Sequence, residues 1–479
     1  LEKKIVLFWL SLASCFFTGC QTYYYANEEF NSAYQRGDYA YCRNWLKKHK
    51  PKARSKDKFL YFTNSGTISF LMDQEDSSNQ FFEKSYLLAE DFQQKAGENV
   101  AAMLTNPKRI TYTGERHEQY LIHYFKALNL LKLRQFETAL IEVRRLIRKM
   151  NVLEDQNKKN YRSDGFLLWM IGTIFEAAGE VNNAYIYYKK SQEAYEKNFG
   201  SLVQAPIPQQ LKEDLVRTAY QSNFDAEGRY FETKLGVSHK PLKPGEGTAL
   251  LIWHKGLGPV KAENRIVFQL VKGAGGQVFF TNEEWGLNFP FFLPPGEAYN
   301  PNRFDNLKII TMAWPKYTNR NFFYKNLNVG IDGRNFAFQR ASSIEKIAAA
   351  DLKDRMLKEM ALSISRVAIK QAVQYLATAA TEEAVKNGKG DKDKKASQAD
   401  LAGSLVNLAF TIANTATEVA DTRNWQTLPA EIEILKIPLP EGKHTLQLGT
   451  RSQNSGSGNQ KIELDIRAGQ TTVYTIQTF

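Results

Sequence analysis

From Tyr23 to about Gly236, apolar residues return at helical spacing and polar or Gly-containing turns punctuate them, which predicts an all-helical half. The pattern changes after Pro241 and Pro244-Gly245-Glu246-Gly247. Residues 248–254 and 265–272, rich in Val, Ile, Leu and Phe with turn signals at each end, predict strands. Further strands are predicted over 307–314, 326–332 and 335–339, with Pro290, Pro294, Pro295 and Pro301 marking an irregular segment. From 341 to about 385 the period is helical again, with Ile344, Ile347, Ala348, Leu352, Leu357, Met360, Ile364, Val367 and Leu376 on one face. Residues 386–397 have the Lys/Gly/Asp composition of a disordered loop. A second Ala-rich helix over 398–421 follows, carrying Leu401, Leu405, Leu408, Ile412 and Val419 on one side. Strands return at 431–437, 444–448, 462–466 and 472–478, with 438–442 as a turn. The predicted fold class is α+β. A helical domain over 20–240 precedes a sandwich-like β domain over 241–340. A two-helix insertion over 341–425 then leads to a β module over 426–479 that completes the β domain.

One helical segment carries a specific spacing. In Leu168-x3-Gly172-x2-Phe175, followed by Ala184, Tyr188 and Ser191, the small residues Gly172 and Ala184 lie 12 apart, with Gly179-Glu180 at the turn between them. This resembles the tetratricopeptide (TPR) repeat, in which two antiparallel helices meet where small side chains allow close approach. The interval recurs in Ala127 and Ala139 and in Gly66 and Ser78. A fainter copy has Gly37-Asp38-Tyr39 as the turn and Cys42 at the small position. The copies are unevenly spaced, so a degenerate array with insertions is expected; an unrelated helical bundle is the alternative. Such arrays form a groove that binds proteins and rarely does chemistry. The tyrosines 185, 187, 188 and 195 are expected to pack within it.

The chain opens with Leu1-Glu2-Lys3-Lys4, an apolar run from Ile5 to Phe17, and Thr18-Gly19-Cys20. A basic start, a brief apolar stretch and small residues before a cut site describe an export signal over 1–19. The run is shorter than the about 20 residues a spanning helix takes. Phe17-Thr18-Gly19-Cys20 resembles a bacterial lipobox, with Phe17 in place of the usual aliphatic residue. That resemblance implies an acylated Cys20 as the new N-terminus, anchored by two or more chains. By that resemblance Gln21, rather than Asp, points to the outer membrane of a Gram-negative cell, with the periplasmic face expected over the cell surface. An ordinary signal peptide that contains a cysteine is the alternative. Cys15 leaves with the signal, so Cys42 has no partner for an intrachain disulfide.

The 479 residues carry a net charge of +12, or +11 once Glu2, Lys3 and Lys4 depart. A basic exported protein suits anionic headgroups, lipopolysaccharide phosphates or acidic glycan, and nucleic acid is not an expected partner. Arg144, Arg145, Arg148 and Lys149 read either as a solvated face beside a buried stripe or as a basic surface for an acidic partner. Catalytic constellations are missing from the sequence. The six histidines, at 49, 117, 123, 239, 254 and 444, are scattered without metal-ligand spacing. No G-x-S-x-G occurs, and Lys272-Gly273-Ala274-Gly275-Gly276 reads as a hairpin turn, not a phosphate cradle. Glu283 and Glu284 beside Trp285 read as solvated loop acids. No catalytic residue, metal or cofactor is predicted.

Two further motifs complete the pattern. Leu257-Gly258-Pro259-x-Lys261 follows the first predicted strand, and Asp421-x-Arg423-x-Trp425-x-x-Leu428-Pro429 leads into the Pro440-Glu441-Gly442 hairpin. With the lipobox and the repeats, they resemble an uncharacterised family of bacterial envelope lipoproteins with TPR-like repeats. The resemblance implies association with activators of peptidoglycan-synthesising penicillin-binding proteins. From the residues themselves, Asp421 and Arg423 are expected to pair where the second helix stops, with Trp425 packed into a corner that orients the last β module. A binding surface is the alternative. The expected function is a non-enzymatic, outer-membrane lipoprotein scaffold with an envelope protein partner. The rivals are a peptidoglycan-binding or wall-modifying enzyme and a membrane-active export accessory that uses the Ala-rich helices.

Overall fold

The computed structural model describes residues 22–96, 110–156, 163–272, 278–291, 309–357 apart from 322, 359–361, 364, 420–450 and 458–479. Cys20, the 386–397 loop and the second Ala-rich helix as far as residue 419 lie outside the described residues.

The helical half consists of hairpins: α1 (Glu28–Gln35) with α2 (Tyr39–Lys48), α3 (Lys58–Leu71) with α4 (Glu75–Ala96), and α5 (Arg116–Lys132) with α6 (Phe136–Gln156). Then α7 (Gly165–Ala177) pairs with α8 (Val181–Ala194), and α9 (Gln209–Gln221) with α10 (Asp225–Leu235). Each hairpin turns on one left-handed residue: Gly37, Asp73, Arg134, Gly179 or Asn223. In all five the same two backbone bonds close the first helix, as in Glu180 N to Phe175 O and Gln135 N to Leu130 O. Five residues past each left-handed residue stands the small position: Cys42, Ser78, Ala139, Ala184 and Gly228. There the helices touch. The Ser78 hydroxyl donates to Gly66 O at 2.9 Å, and a Cβ at Gly172 would lie 2.7 Å from the Tyr188 ring. The repeat is therefore TPR-like, and a fifth copy, Val216 with Gly228, joins the four read from the sequence. Valine at the first position had masked it.

The β half is a two-sheet sandwich with a third sheet beside it. One sheet has the order β12-β1-β9-β8 and the other β11-β10-β6-β7. Their strands are β1 (Glu246–Lys255), β6 (Leu327–Ile331), β7 (Arg334–Phe336), β8 (Gln339–Ser343), β9 (Glu431–Pro440), β10 (Gly442–Thr450), β11 (Gly458–Ile466) and β12 (Thr471–Thr478). The C-terminal strands thus complete sheets begun by β1 and β6–β8. Strand β1 is buried on both faces, which explains its continuous apolar run. Ala249, Leu251 and Trp253 face the sandwich core, while Leu250 and Ile252 join the core of the helical array.

Strands β2 (Val260–Lys272), β3 (Val278–Asn282), β4 (Leu287–Phe291) and β5 (Ile309–Thr318) form the third sheet, order β4-β3-β2-β5. Its Ile266, Phe268, Phe280, Met312 and Trp314 pack on Leu352 and Met360 of the helix over 344–357 (α11) and its continuation. The 241–340 region is accordingly two units rather than one. The structure changes other boundaries too. Ala341–Ser343 belong to β8, so the helix starts at Ile344. Pro290 lies inside β4, and Pro438 and Pro440 lie inside β9 rather than in a turn. Asp421 is not helical. Among the described residues, no helix is long and apolar enough to cross a membrane.

Candidate functional site

The first helices of the hairpins, α3, α5, α7 and α9, share one face of the array, and the chain's own C-terminal half covers it. Residues 420–430 run through this face without regular structure, apart from turns, and are almost wholly buried. Trp425 is the anchor. Its ring lies 5.6 Å from that of Phe82 and 5.7 Å from that of Phe125. Its indole N–H donates to the Thr67 and Thr427 hydroxyls at 3.1 and 2.8 Å, and its amide donates to Glu118 Oε1 at 2.7 Å. Thr427 in turn donates to Asn64 Oδ1 at 3.0 Å. Side chains of the array and of the β5–β6 connection also bond the segment's main chain. Tyr34 Oη donates to Thr427 O at 2.7 Å, and Arg320 Nη2 to Gln426 O at 2.6 Å.

Asp421 and Arg423 pair through Nε and Nη2 at 2.8 and 2.7 Å. Arg423 also donates to Asp57 at 3.2 Å and to Ile110 O at 3.0 Å, so the pair is tied into the array. Burial raises the Asp421 carboxyl, but the bonds from Arg423 outweigh it and hold the acid below its ordinary range. Leu428 and Pro429 meet the other motif. The Gly258 amide donates to Leu428 O at 2.7 Å, Asn424 Nδ2 donates to Pro259 O at 2.8 Å, and Leu257 packs with Phe30 and Tyr34. The fold brings together two motifs that the sequence separates.

Beneath Trp425 lies a buried charge cluster that no motif flagged. Lys261 and Arg355 both donate to Glu115 Oε1, the latter at 2.8 Å. Burial raises Glu115, yet Arg355 and then Lys261 bring it down to about 2. Tyr112 donates to Glu118 at 2.7 Å, and burial raises its phenol well above the usual range. Alongside, Asp351 accepts from Arg116 and lies 3.1 Å from His117 Nδ1. A narrow cavity there is lined by Arg116, His117, Tyr120, Asp164 and Asp351, with Ile347 and Phe199 closing it. Asp164, the N-cap of α7, is pushed up to about 7 by burial, against the bond it accepts from Leu167 N. A second cluster joins the sheet to the array. Lys436 of β9 donates to Glu176 and Asp214, each at 2.9 Å, and Arg217 bridges the same two acids. The sequence held one usable signal for this site: the polar run Thr63-Asn64-Ser65-Gly66-Thr67 inside an apolar helix.

The remaining predicted residues are placed separately. Arg145 and Lys149 do not form a free basic surface: they pair with Glu83 at 3.0 Å and Glu90 at 2.6 Å on α4, while Arg148 bonds the Tyr86 hydroxyl. Arg144 reaches Glu180 at 3.5 Å. Arg145 and Lys149 hold α4 to α6, because each lies opposite an acid on the neighbouring helix. His123 pairs with Glu142, His254 with Tyr124, and His444 with Asp332. Among the described residues, no three His, Cys, Asp or Glu side chains are grouped to hold a metal. Glu283, Glu284 and Trp285 are exposed in the β3–β4 turn.

No protein-family profile matches the chain, and no curated protein matches it by sequence. Solved structures similar to it include the apo form of RapI, at 11% identity and a TM-score of 0.32 over 42% of this chain and 49% of RapI. The chain thus spans about half the length of RapI. The nearly identical TPR-like repeats of a Podosopora anserina kinesin light chain match at 12% identity, over 44% of this chain and 93% of that one, with a TM-score of 0.30. Aspartyl phosphate phosphatase F from Bacillus subtilis matches at 18% identity, 41% and 46% coverage, and a TM-score of 0.26. By its own geometry the chain is an α+β protein in which a β-sandwich closes the inner face of a TPR-like array.

Proposed function

We propose that this chain is a non-catalytic scaffold of a bacterial cell envelope, held at the periplasmic face of the outer membrane by lipid on Cys20. The observation that carries the scaffold reading is the binding of residues 420–430 along the first-helix face. Side chains there grip an irregular main chain, which is peptide recognition carried out within one molecule. The charge clusters around it link one element to another.

With that face filled, a partner is received on the second helices. Ile141, Ile186 and Tyr230 stand two residues past the small position in three successive repeats and are 49, 44 and 57% exposed. Single exposed apolar residues are ordinary, but repetition at one structural position builds a row. The resemblance around 421–448 supports a partner among activators of peptidoglycan-synthesising penicillin-binding proteins. Two measurements test the reading. A Cys20→Ser variant should lose acyl labelling and leave the membrane fraction; retention with the signal cleaved overturns the anchor. Crosslinking in intact envelopes should capture a defined partner through the intact chain and not through an Ile141→Asp, Ile186→Asp, Tyr230→Asp variant. Equal capture by both removes the second-helix face from the proposal.

A further inference from the structure

Residues 36–58 contain nine Lys or Arg against Asp38 and Asp57, a local charge of +7 in a chain of +12. Elsewhere, cations such as Lys126, Arg145, Arg217 and Lys436 are spent on acids. Here they are not. Lys47, Lys48, Lys50 and Arg54 are exposed, and none is in an ion pair among the described residues. Lys47 and Lys48 suit the C-terminal end of the α2 dipole, which explains two of them. Lys50 and Arg54 continue into a 3-10 turn closed by Lys52 N to His49 O and Ser55 N to Lys52 O, so the cations gather at one end of the hairpin.

That end is also where the chain enters the fold. Lys52 lies over the Trp45 ring and donates to Asn27 Oδ1 at 2.6 Å, and Asn27 Nδ2 donates to Tyr23 O at 2.7 Å. Two hydrogen bonds therefore connect the basic turn to Tyr23, three residues after Cys20. Beside it Tyr25 is 60% exposed, an amphipathic ring of the kind found at lipid interfaces.

We infer that the turn from Lys47 to Arg54, with Tyr25, is a docking surface for an anionic phospholipid bilayer. It lays the first hairpin on the same leaflet that holds the acyl chains. This deepens the anchored reading and rests on it. Each basic side chain at an anionic leaflet strengthens attachment by about fivefold, and the contribution fades with salt.

The test places the full chain in vesicles of phosphatidylcholine, with or without phosphatidylglycerol, and reads amine labelling of individual lysines by mass spectrometry. Lys47, Lys48 and Lys50 should be protected several-fold only with phosphatidylglycerol. Protection should vanish in high salt, while the exposed Lys240 labels equally in every arm. No protection, or equal protection on neutral vesicles, overturns the inference. Flotation on neutral vesicles reports the anchor separately. Should the chain fail to float there, the anchor reading falls, and salt-sensitive flotation on phosphatidylglycerol vesicles still decides this one. A Lys47→Glu, Lys48→Glu, Lys50→Glu variant should lose at least about tenfold of the salt-sensitive binding at an unchanged melting temperature. Undiminished binding overturns it.

Discussion

The amide of Gly258 donates to the carbonyl of Leu428 at 2.7 Å, and a Cβ on Gly258 would stand 2.9 Å from that oxygen. The end of β1 and the Trp425 segment therefore touch backbone to backbone. Backbone cannot swing away as a side-chain tip can. Gly258→Ala should destabilise the protein by about 1–3 kcal/mol. A lower urea midpoint at constant denaturant slope checks this; an unchanged midpoint refutes the close approach.

Trp425 contributes both area and hydrogen bonds. Trp425→Ala should cost about 3–5 kcal/mol, because a large cavity opens between Phe82 and Phe125. Trp425→Phe keeps much of the packing but removes the N–H that Thr67 and Thr427 accept, and should cost less. Calorimetry of both variants gives the order; equal losses would show that the indole N–H contributes nothing.

The Lys436 side chain is only 6% exposed between Glu176 and Asp214. Burial raises Glu176, but Lys436 and then Arg217 pull it far below its ordinary range. Lys436→Ala leaves two buried acids with only Arg217 between them and should cost about 3–5 kcal/mol. Chemical denaturation measures it, and a loss no larger than that of a surface pair would mean that the lysine is dispensable.

His254, which is buried, and Asp164, which is half-buried, give opposite pH dependence. Burial, with a smaller contribution from Lys132, depresses His254 to about 3, so the fold holds it neutral. Its contribution is complete above the unfolded value of 6.5 and is lost as pH falls from there toward 3. Asp164 is raised to about 7 from 3.8; its contribution is complete below 3.8 and is lost as pH rises through 7. The two windows overlap, so in thermal melts from pH 3 to 8 His254→Gln should remove a rise of stability with pH and Asp164→Asn should remove a fall. The Asn retains a cap for α7. Unaltered pH profiles would exclude these groups as the source.

Glu115 and Asp421 set a lower acid limit. Both are depressed, Glu115 to about 2, so their contribution is present above the ordinary carboxyl range and disappears as pH falls toward 2. Lys261→Met should move this acid transition upward, since Glu115 then keeps only Arg355. A transition that stays in place would remove Lys261 from the cluster.

Much of the fold was legible in local pattern. A left-handed turn residue and a small residue five places on are short-range requirements, so Gly179 with Ala184 and Gly37 with Cys42 announced their hairpins. The fifth hairpin was hidden because its turn residue is Asn223 and the first-helix position that Gly228 meets is Val216, not a small residue. Strands β3 and β4 escaped because Gly-rich and Pro-rich stretches interrupt their run, and Pro290 lies inside β4.

The sequence by itself determined an α+β chain, the helix pairs and the alternation along each strand, because those follow from contacts a few residues apart. It also marked Asp421, Arg423 and Trp425 as a unit. Only the tertiary structure decided what the unit does. Lys261, Arg355, Glu115 and Glu118 come from distant segments; the first three become tolerable only once paired with opposite charge away from water, and Glu118 once it accepts from Tyr112 and the Trp425 amide. Tertiary structure also turned Arg145 and Lys149 from a surface into a clamp, and among the described residues left Lys47, Lys48, Lys50 and Arg54 outside any ion pair.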